Sequence, residues 1–171
     1  FKEIIVNLHH QPDSVIEALG DGSRFGVKIE YTIEQPKILG TAGALDNARH
    51  LLEDDAFLIV NGKIITDIDI AAAVETHKRS GAIATMVLKE NHKRERFTVV
   101  DTVDGYISGF SGMAMPQTEE EIRDAEHQPA TPLMFTGIHV ADPSIFDFIP
   151  RGVFSDTVSD VYKPAMARGE K

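Results

Sequence analysis

The stretch Glu34-Gln35-Pro36-Lys37-Ile38-Leu39-Gly40-Thr41-Ala42-Gly43-Ala44-Leu45 gathers groups that recognise a polar ring and an anion. Glu34 or Gln35 can hydrogen-bond the edge of a nucleobase. Gly40 has no Cβ, so a ligand can approach the backbone closely. Thr41 can cap a helix that starts there, and the N–H groups of its first turn, Ala42 included, favour an anion. The plain alternative is a capped helix whose small residues allow close packing. A second segment, Asn61-Gly62-Lys63, follows the apolar run Ala56-Phe57-Leu58-Ile59-Val60. Lys63 can hold a phosphate as a point charge. The alternative there is an Asn-Gly turn beside a solvated lysine.

Other chemistry-bearing residues read as structural. Gly20-Asp21-Gly22-Ser23-Arg24-Phe25-Gly26 looks like a phosphate loop, but it follows a helix pattern and precedes a strand, the reverse of that motif's context. His9-His10 has no third ligand at metal spacing. Lys89, Lys93, Arg94 and Arg96 form a basic cluster that reads as a solvated loop. His139, on an apolar strand, reads as a core histidine.

Elements that alternate in type must position these residues. Ile4–Leu8 reads as a strand, and Pro12–Leu19 as a helix stopped by Gly20. Val27, Ile29, Tyr31 and Ile33 alternate with Lys28, Glu30 and Thr32, the pattern of a strand with one wet face. Thr41–Leu52 reads as a helix, and residues 56–60 as a strand covered on both faces. Thr66 and Asp69 form a capping pattern before a helix over Ile70–Arg79, and Ile83–Leu88 reads as a strand. Phe97–Val103, Asp104-Gly105 and Tyr106–Phe110 predict a hairpin. Gln117–His127 reads as a polar helix or loop, and Leu133–Val140 as a strand. A short helix follows Asp142-Pro143, and Ser155 is expected to cap a last helix through Tyr162, bent by Pro164. The pattern predicts an α/β, Rossmann-like fold: a mixed, mostly parallel sheet with helices on both faces.

Composition narrows the function classes. With 171 residues, the chain is expected to form one domain over 1–171, with roughly 70% of its unfolded surface buried. The 17 basic and 27 acidic residues leave a formal net charge of −10, which disfavours a nucleic-acid partner. The absence of cysteine excludes disulfides, zinc-thiolate sites and a cysteine nucleophile. No apolar run has the length of a membrane span and no secretion signal opens the chain, so a cytoplasmic protein without a membrane partner is expected. Phe1-Lys2-Glu3 runs directly into a strand, and Gly169-Glu170-Lys171 follows the last helix. Truncation at both ends is therefore expected.

From Ile4 to about Arg168 the chain resembles the sugar-1-phosphate nucleotidyltransferases, and most nearly their mannose-1-phosphate guanylyltransferase-like branch. Carrying residues are Glu34 with Leu39-Gly40-Thr41-Ala42-Gly43-Ala44-Leu45, Ile59-Val60-Asn61-Gly62, and Asp69 with His77. Phe135-Thr136-Gly137-Ile138-His139-Val140 and Pro143-Ser144-Ile145-Phe146 add to them. The resemblance implies that a nucleoside triphosphate and a sugar 1-phosphate are joined, with Mg²⁺ as cofactor and pyrophosphate released. It implies that Glu34 or Gln35 and the backbone near Gly40 face the base. Asn61 and Gly62 would lie near sugar and phosphates, and Thr136 and Gly137 would line the sugar pocket.

The chain departs from that family pattern in three ways. The family's glycine-rich triphosphate loop and its strand would precede Phe1. Lys63 stands where the family usually has a metal-binding Asp, and a protonated ammonium has no lone pair for a metal. Lys63 is then the candidate catalytic cation, and the metal ligands stay unassigned. Ser111-Gly112-Met113 stands where Glu-Lys-Pro is common. These departures leave a second reading open, a non-catalytic relative that binds a nucleotide sugar and regulates a partner. The oligomeric state also stays open, a homo-oligomer included.

Overall fold

The computed structural model describes residues 1–92, 95–113 and 131–171. The predicted helix or loop over 117–127 lies outside them, as do Lys93 and Arg94. The chain divides into two compact units, Phe1–Asp55 with Pro143–Arg168, and Ala56–Asp142 with Gly169–Lys171.

The first unit is built on a β-α-β crossover. Strand β1 (Glu3–Leu8) and strand β2 (Lys28–Ile33) pair in parallel, and Ile4 lies opposite Ile29. Parallel partners need a long connection. Helix α1 (Pro12–Leu19) supplies it, with Pro at its first turn and Gly20 as its C-cap at φ 62°. The glycine-rich segment after α1 is a self-bonded turn. The Gly22 carbonyl accepts from the amides of Phe25 and Val27, and Asp21 accepts from the Ser23 amide. Helix α2 (Gly40–Ala48) continues as a 3₁₀ turn over Arg49–Leu51. Its buried face, Ala42, Leu45 and Ala48, belongs to the same core as Leu8, Ile145, Phe146, Ile149, Val161 and Ala165.

The last helical stretch of this unit differs from expectation. Residues Thr157–Tyr162 form a π-helix, followed by α4 (Lys163–Ala167). Its cap is Asp156 rather than Ser155: the Asp156 carboxylate accepts from the amides of Val158 and Ser159. Ser155 is instead buried, and its backbone is spent on α2, as described below.

The second unit carries a five-stranded sheet of order β3-β7-β5-β6, with β4 also paired to β7. The strands are β3 (Phe57–Val60), β4 (Ala84–Glu90), β5 (Thr98–Val103), β6 (Tyr106–Met113) and β7 (Leu133–Ala141). The fold is α/β with mixed pairing, but among the described residues the parallel ladder is confined to β1 and β2. Every ladder of the second sheet is antiparallel. The predicted hairpin forms β5 and β6, with Asp104 and Gly105 at φ 51° and 80°, as a type I′ turn requires. Strand β7 returns between β3 and β4, so those two strands run the same way without touching. Residue alternation reports which face of a strand is wet, not the direction of its partner. That is why the expected run of parallel neighbours is interrupted by β7. Likewise, among the described residues β3 pairs only with β7, and its last residue, Val60, is exposed.

Helix α3 (Ile70–Ser80) packs on β4 and β7. Asp69 is its N-cap and accepts from the Ala72 amide, while the Thr66 hydroxyl accepts from the Ile68 amide. The core of this unit comprises Phe57, Val100, Ile138, Val140 and Ala141.

Candidate functional site

The sequence-predicted site residues fall into two clusters, one in each unit. In the first unit, β2 ends at Ile33 and the chain turns through 34–39 into α2. Glu34 is 3% exposed, although it is a carboxylate. Its Oε1 accepts from Asn7 Nδ2 at 2.5 Å, and its Oε2 accepts from the Leu39 amide at 2.6 Å. Asn7 Oδ1 in turn accepts from the Thr32 hydroxyl at 2.9 Å and from Asn47 Nδ2 at 3.1 Å. The carboxylate thus ties β1, β2 and α2 to the two ends of the loop. Gln35, Lys37 and Ile38 stay exposed on that loop. Among the described residues the Gln35 side chain has no hydrogen-bond partner.

The start of α2 is occupied by the chain itself. The Ser155 carbonyl accepts from the amides of Ala42 and Gly43, at 3.0 and 3.4 Å, and the Ser155 amide donates to the Leu39 carbonyl at 2.9 Å. A Cβ on Gly40 would lie 2.5 Å from the Ser155 carbonyl oxygen and 3.1 Å from the Phe154 ring. The space left by glycine is therefore filled by residues 154–155. Thr41 makes no cap to its own helix. Its hydroxyl donates to Asp156 at 3.1 Å and accepts from the Thr157 amide at 2.9 Å. Of the first-turn N–H groups expected to stand open to an anion, those of Ala42 and Gly43 are consumed, because tertiary packing brings the Ser155 carbonyl to them.

In the second unit, one edge of β7 is shared. Strand β3 pairs with Ile138–Ala141 and β5 with Leu133 and Met134. Between them the register of β7 against β4 slips from His139 opposite Met86 to Phe135 opposite Leu88, a bulge holding Thr136 and Gly137. Bulges of this kind re-aim side chains next to functional sites. Gly137 adopts φ 82° and its carbonyl accepts from the Asn61 amide at 3.1 Å. A Cβ there would lie 2.5 Å from Asn61 Nδ2 and 2.8 Å from Ile64 Cδ1. The Thr136 hydroxyl donates to the Val87 carbonyl at 2.7 Å. So Asn61, Thr136 and Gly137 do come together. Gly62 and Lys63 continue this turn at the surface.

Nearby histidines are held neutral. Burial pushes His139 down from 6.5 to about 3, and its ring meets Phe135 edge-on at 5.3 Å. His77 is also lowered, by burial, against an opposing effect of Asp142, and its Nδ1 pairs with the Thr85 hydroxyl at 3.0 Å. Neither is exposed enough to serve as a base. Among the described residues no three His, Asp or Glu side chains converge on a metal site. The Asp69 carboxylate is spent on capping α3. The described residues thus hold no preassembled Mg²⁺ site; such an ion takes one or two carboxylates, with substrate phosphates among its other ligands.

Four contributors were not anticipated: Asn7, Thr32, Asn47 and Ser155. One polar residue inside the apolar run Ile4-Ile5-Val6-Asn7-Leu8 was the only available signal. The others depend on which elements meet.

Folds of this class occur among sugar nucleotidyltransferase structures. The chain is similar to a Bacillus anthracis protein assigned as a glucose-1-phosphate thymidylyltransferase, with a TM-score of 0.77 at 23% identity over 98% of this chain and 65% of that one. It is also similar to HddC from Yersinia pseudotuberculosis, with a TM-score of 0.72 at 19% identity over 95% of this chain and 65% of that one. Residues 1–171 match the nucleotidyl transferase family, and the chain belongs to it. Sequence relatives include the UTP–glucose-1-phosphate uridylyltransferase of Synechocystis, 28% identical over 99% of this chain and 44% of the relative. The N-acetylmuramate α-1-phosphate uridylyltransferase of Neisseria meningitidis is 32% identical, over 89% and 60%. The mannose-1-phosphate guanylyltransferase of Mycobacterium tuberculosis is 27% identical, over 99% and 44%. The chain thus spans about half the length of these relatives.

Proposed function

We propose that this chain is the core of an enzyme that joins a nucleoside triphosphate to a sugar 1-phosphate. A phosphate oxygen of the sugar would attack the α-phosphorus in line, forming the new P–O bond as the bond to pyrophosphate breaks. Family membership over the whole chain carries this reading. The exposed Gln35 amide would meet the base, and the chain at Gly40, Thr41 and Ala42 would shape the wall beside it. Asn61 and Gly62 would lie against sugar and phosphates, and the Thr136–Gly137 bulge would line the sugar pocket. Lys63 would place its ammonium against phosphate charge, where positioning and neutralisation supply most of such catalysis.

Within that class the sequence resemblance favours guanosine and mannose, while relatives with uridylyl and guanylyl names both match. The test is pyrophosphate release by the purified full-length protein, with GTP or UTP against mannose and glucose 1-phosphates. Release with one pairing supports the reading and names the substrates. Triphosphate binding without release by any pairing would favour the non-catalytic alternative, to which Lys63 is the pointer. Lys63→Ala should weaken triphosphate binding about tenfold at low salt with melting unchanged, since Lys63 is exposed. Equal affinity by calorimetry would remove Lys63 from the site.

A further inference from the structure

We propose that Glu34 is a positioning residue, whose buried carboxylate closes the 35–38 loop and leaves the base contact to Gln35. This rests on the nucleotide reading above. Both residues lie at the end of β2, and either type can face a base. Their surroundings separate them. Each Glu34 oxygen is already committed, one to Asn7 Nδ2 and one to the Leu39 amide, and the side chain is 3% exposed. The loop it spans starts at its own residue and ends at the residue before α2. Asn7 is fixed in turn by Thr32 and Asn47, so the clamp is anchored on three elements. Gln35, by contrast, is exposed.

A carboxylate suits this place for a chemical reason. Two N–H donors converge on it from different elements, and an ionised carboxylate accepts at both oxygens. A carboxamide can accept at only one, and its NH₂ would face a donor at the other. Releasing the clamp would let the loop sample other conformations, and a ligand would bind only the competent fraction. Every nucleotide would suffer equally, because no base contact is lost.

The experiment uses the purified full-length protein with GTP, UTP, ATP and CTP as probes. Affinities are read by calorimetry, and exchange of the Leu39 amide is read by NMR in the ligand-free state. Glu34→Gln should weaken all four triphosphates by a similar factor, about tenfold, and keep their ranking. It should also speed exchange at Leu39. Gln35→Ala should change the ranking and leave Leu39 exchange alone. Combining Glu34→Gln with Asn7→Asp exchanges amide and carboxylate across the clamp. The amide at 34 can then donate to position 7 and accept from the Leu39 amide, so the pair should recover affinity and slow exchange. A changed base ranking in Glu34→Gln would make Glu34 a base reader and overturn the proposal. Unchanged Leu39 exchange, or a pair that recovers neither property, would also overturn it. If the wild type binds none of the four, the nucleotide reading fails, and the Leu39 exchange still reports whether the clamp exists.

Discussion

Gly137 shows how little room the second cluster leaves. A methyl there would overlap Asn61 Nδ2 and Ile64 Cδ1, and φ 82° disfavours any side chain. Gly137→Ala is expected to cost about 2 kcal/mol, measured by denaturant unfolding. A loss below a few tenths would mean that the 61–64 turn yields freely. At this scale the sequence exposed residue types but not their partners. Gly40 reads as a place for close approach and is one; Gly137, expected from the resemblance to line a sugar pocket, is closely approached as well. Gly40 is approached by residues 154–155 and Gly137 by Asn61. No local pattern distinguishes a protein neighbour from a ligand, since the backbone needs the same space for either.

Elements are held to one another by a few buried polar clamps. Arg49, after α2, pairs with Asp46 at 2.9 Å and donates to the carbonyls of Phe146 and Ile149. Its guanidinium lies over the Phe146 ring at 4.5 Å. Asp46 also accepts from the Gly152 amide. This clamp seats residues 146–152 against α2, in the same unit as the Ser155 contacts that close the helix start. Arg49→Ala leaves Asp46 half-buried without its cation and should cost about 3 kcal/mol in unfolding free energy. Arg49→Lys should recover only part, because an ammonium cannot reproduce the fork. If both variants melt like the wild type, the clamp contributes nothing. Most element positions were legible: α1 spans Pro12–Leu19 and β7 begins at Leu133, as their patterns predict. Ends were less so, because Asp156, three residues before Ser159, competes successfully with Ser155 for the cap. A carboxylate with two amides in reach outbids a hydroxyl already turned inward.

Across the molecule, each unit has its own core, and the one chain passes between units at residues 55–56, 142–143 and 168–169. Among the described residues no helix is long and apolar enough to cross a membrane. The buried histidines make stability depend on pH. His139 holds its proton only below about 3 when folded but near 6.5 when unfolded. Between those values the unfolded chain binds more protons, so stability rises with pH and is lost as pH falls from 6.5. His77 acts in the same direction. Unfolding free energy should therefore drop between pH 7 and pH 5, by at most about 1.4 kcal/mol per pH unit for each such group. His139→Gln should flatten that drop; an unaltered profile would place the titration elsewhere.

Local order and family were thus determined by sequence: apolar alternation, turn residues and the Glu34-to-Leu45 run act over a few residues and need no partner to be read. Tertiary structure alone decided that β7 enters antiparallel between β3 and β4, that Ser155 takes the first amides of α2, and that Glu34 turns inward while Gln35 stays out. The β7 ladders, the Ser155 bonds to α2 and the Asn7–Glu34 bond each join residues far apart in the chain. A backbone donor or a buried carboxylate accepts whichever partner the packing of the core delivers.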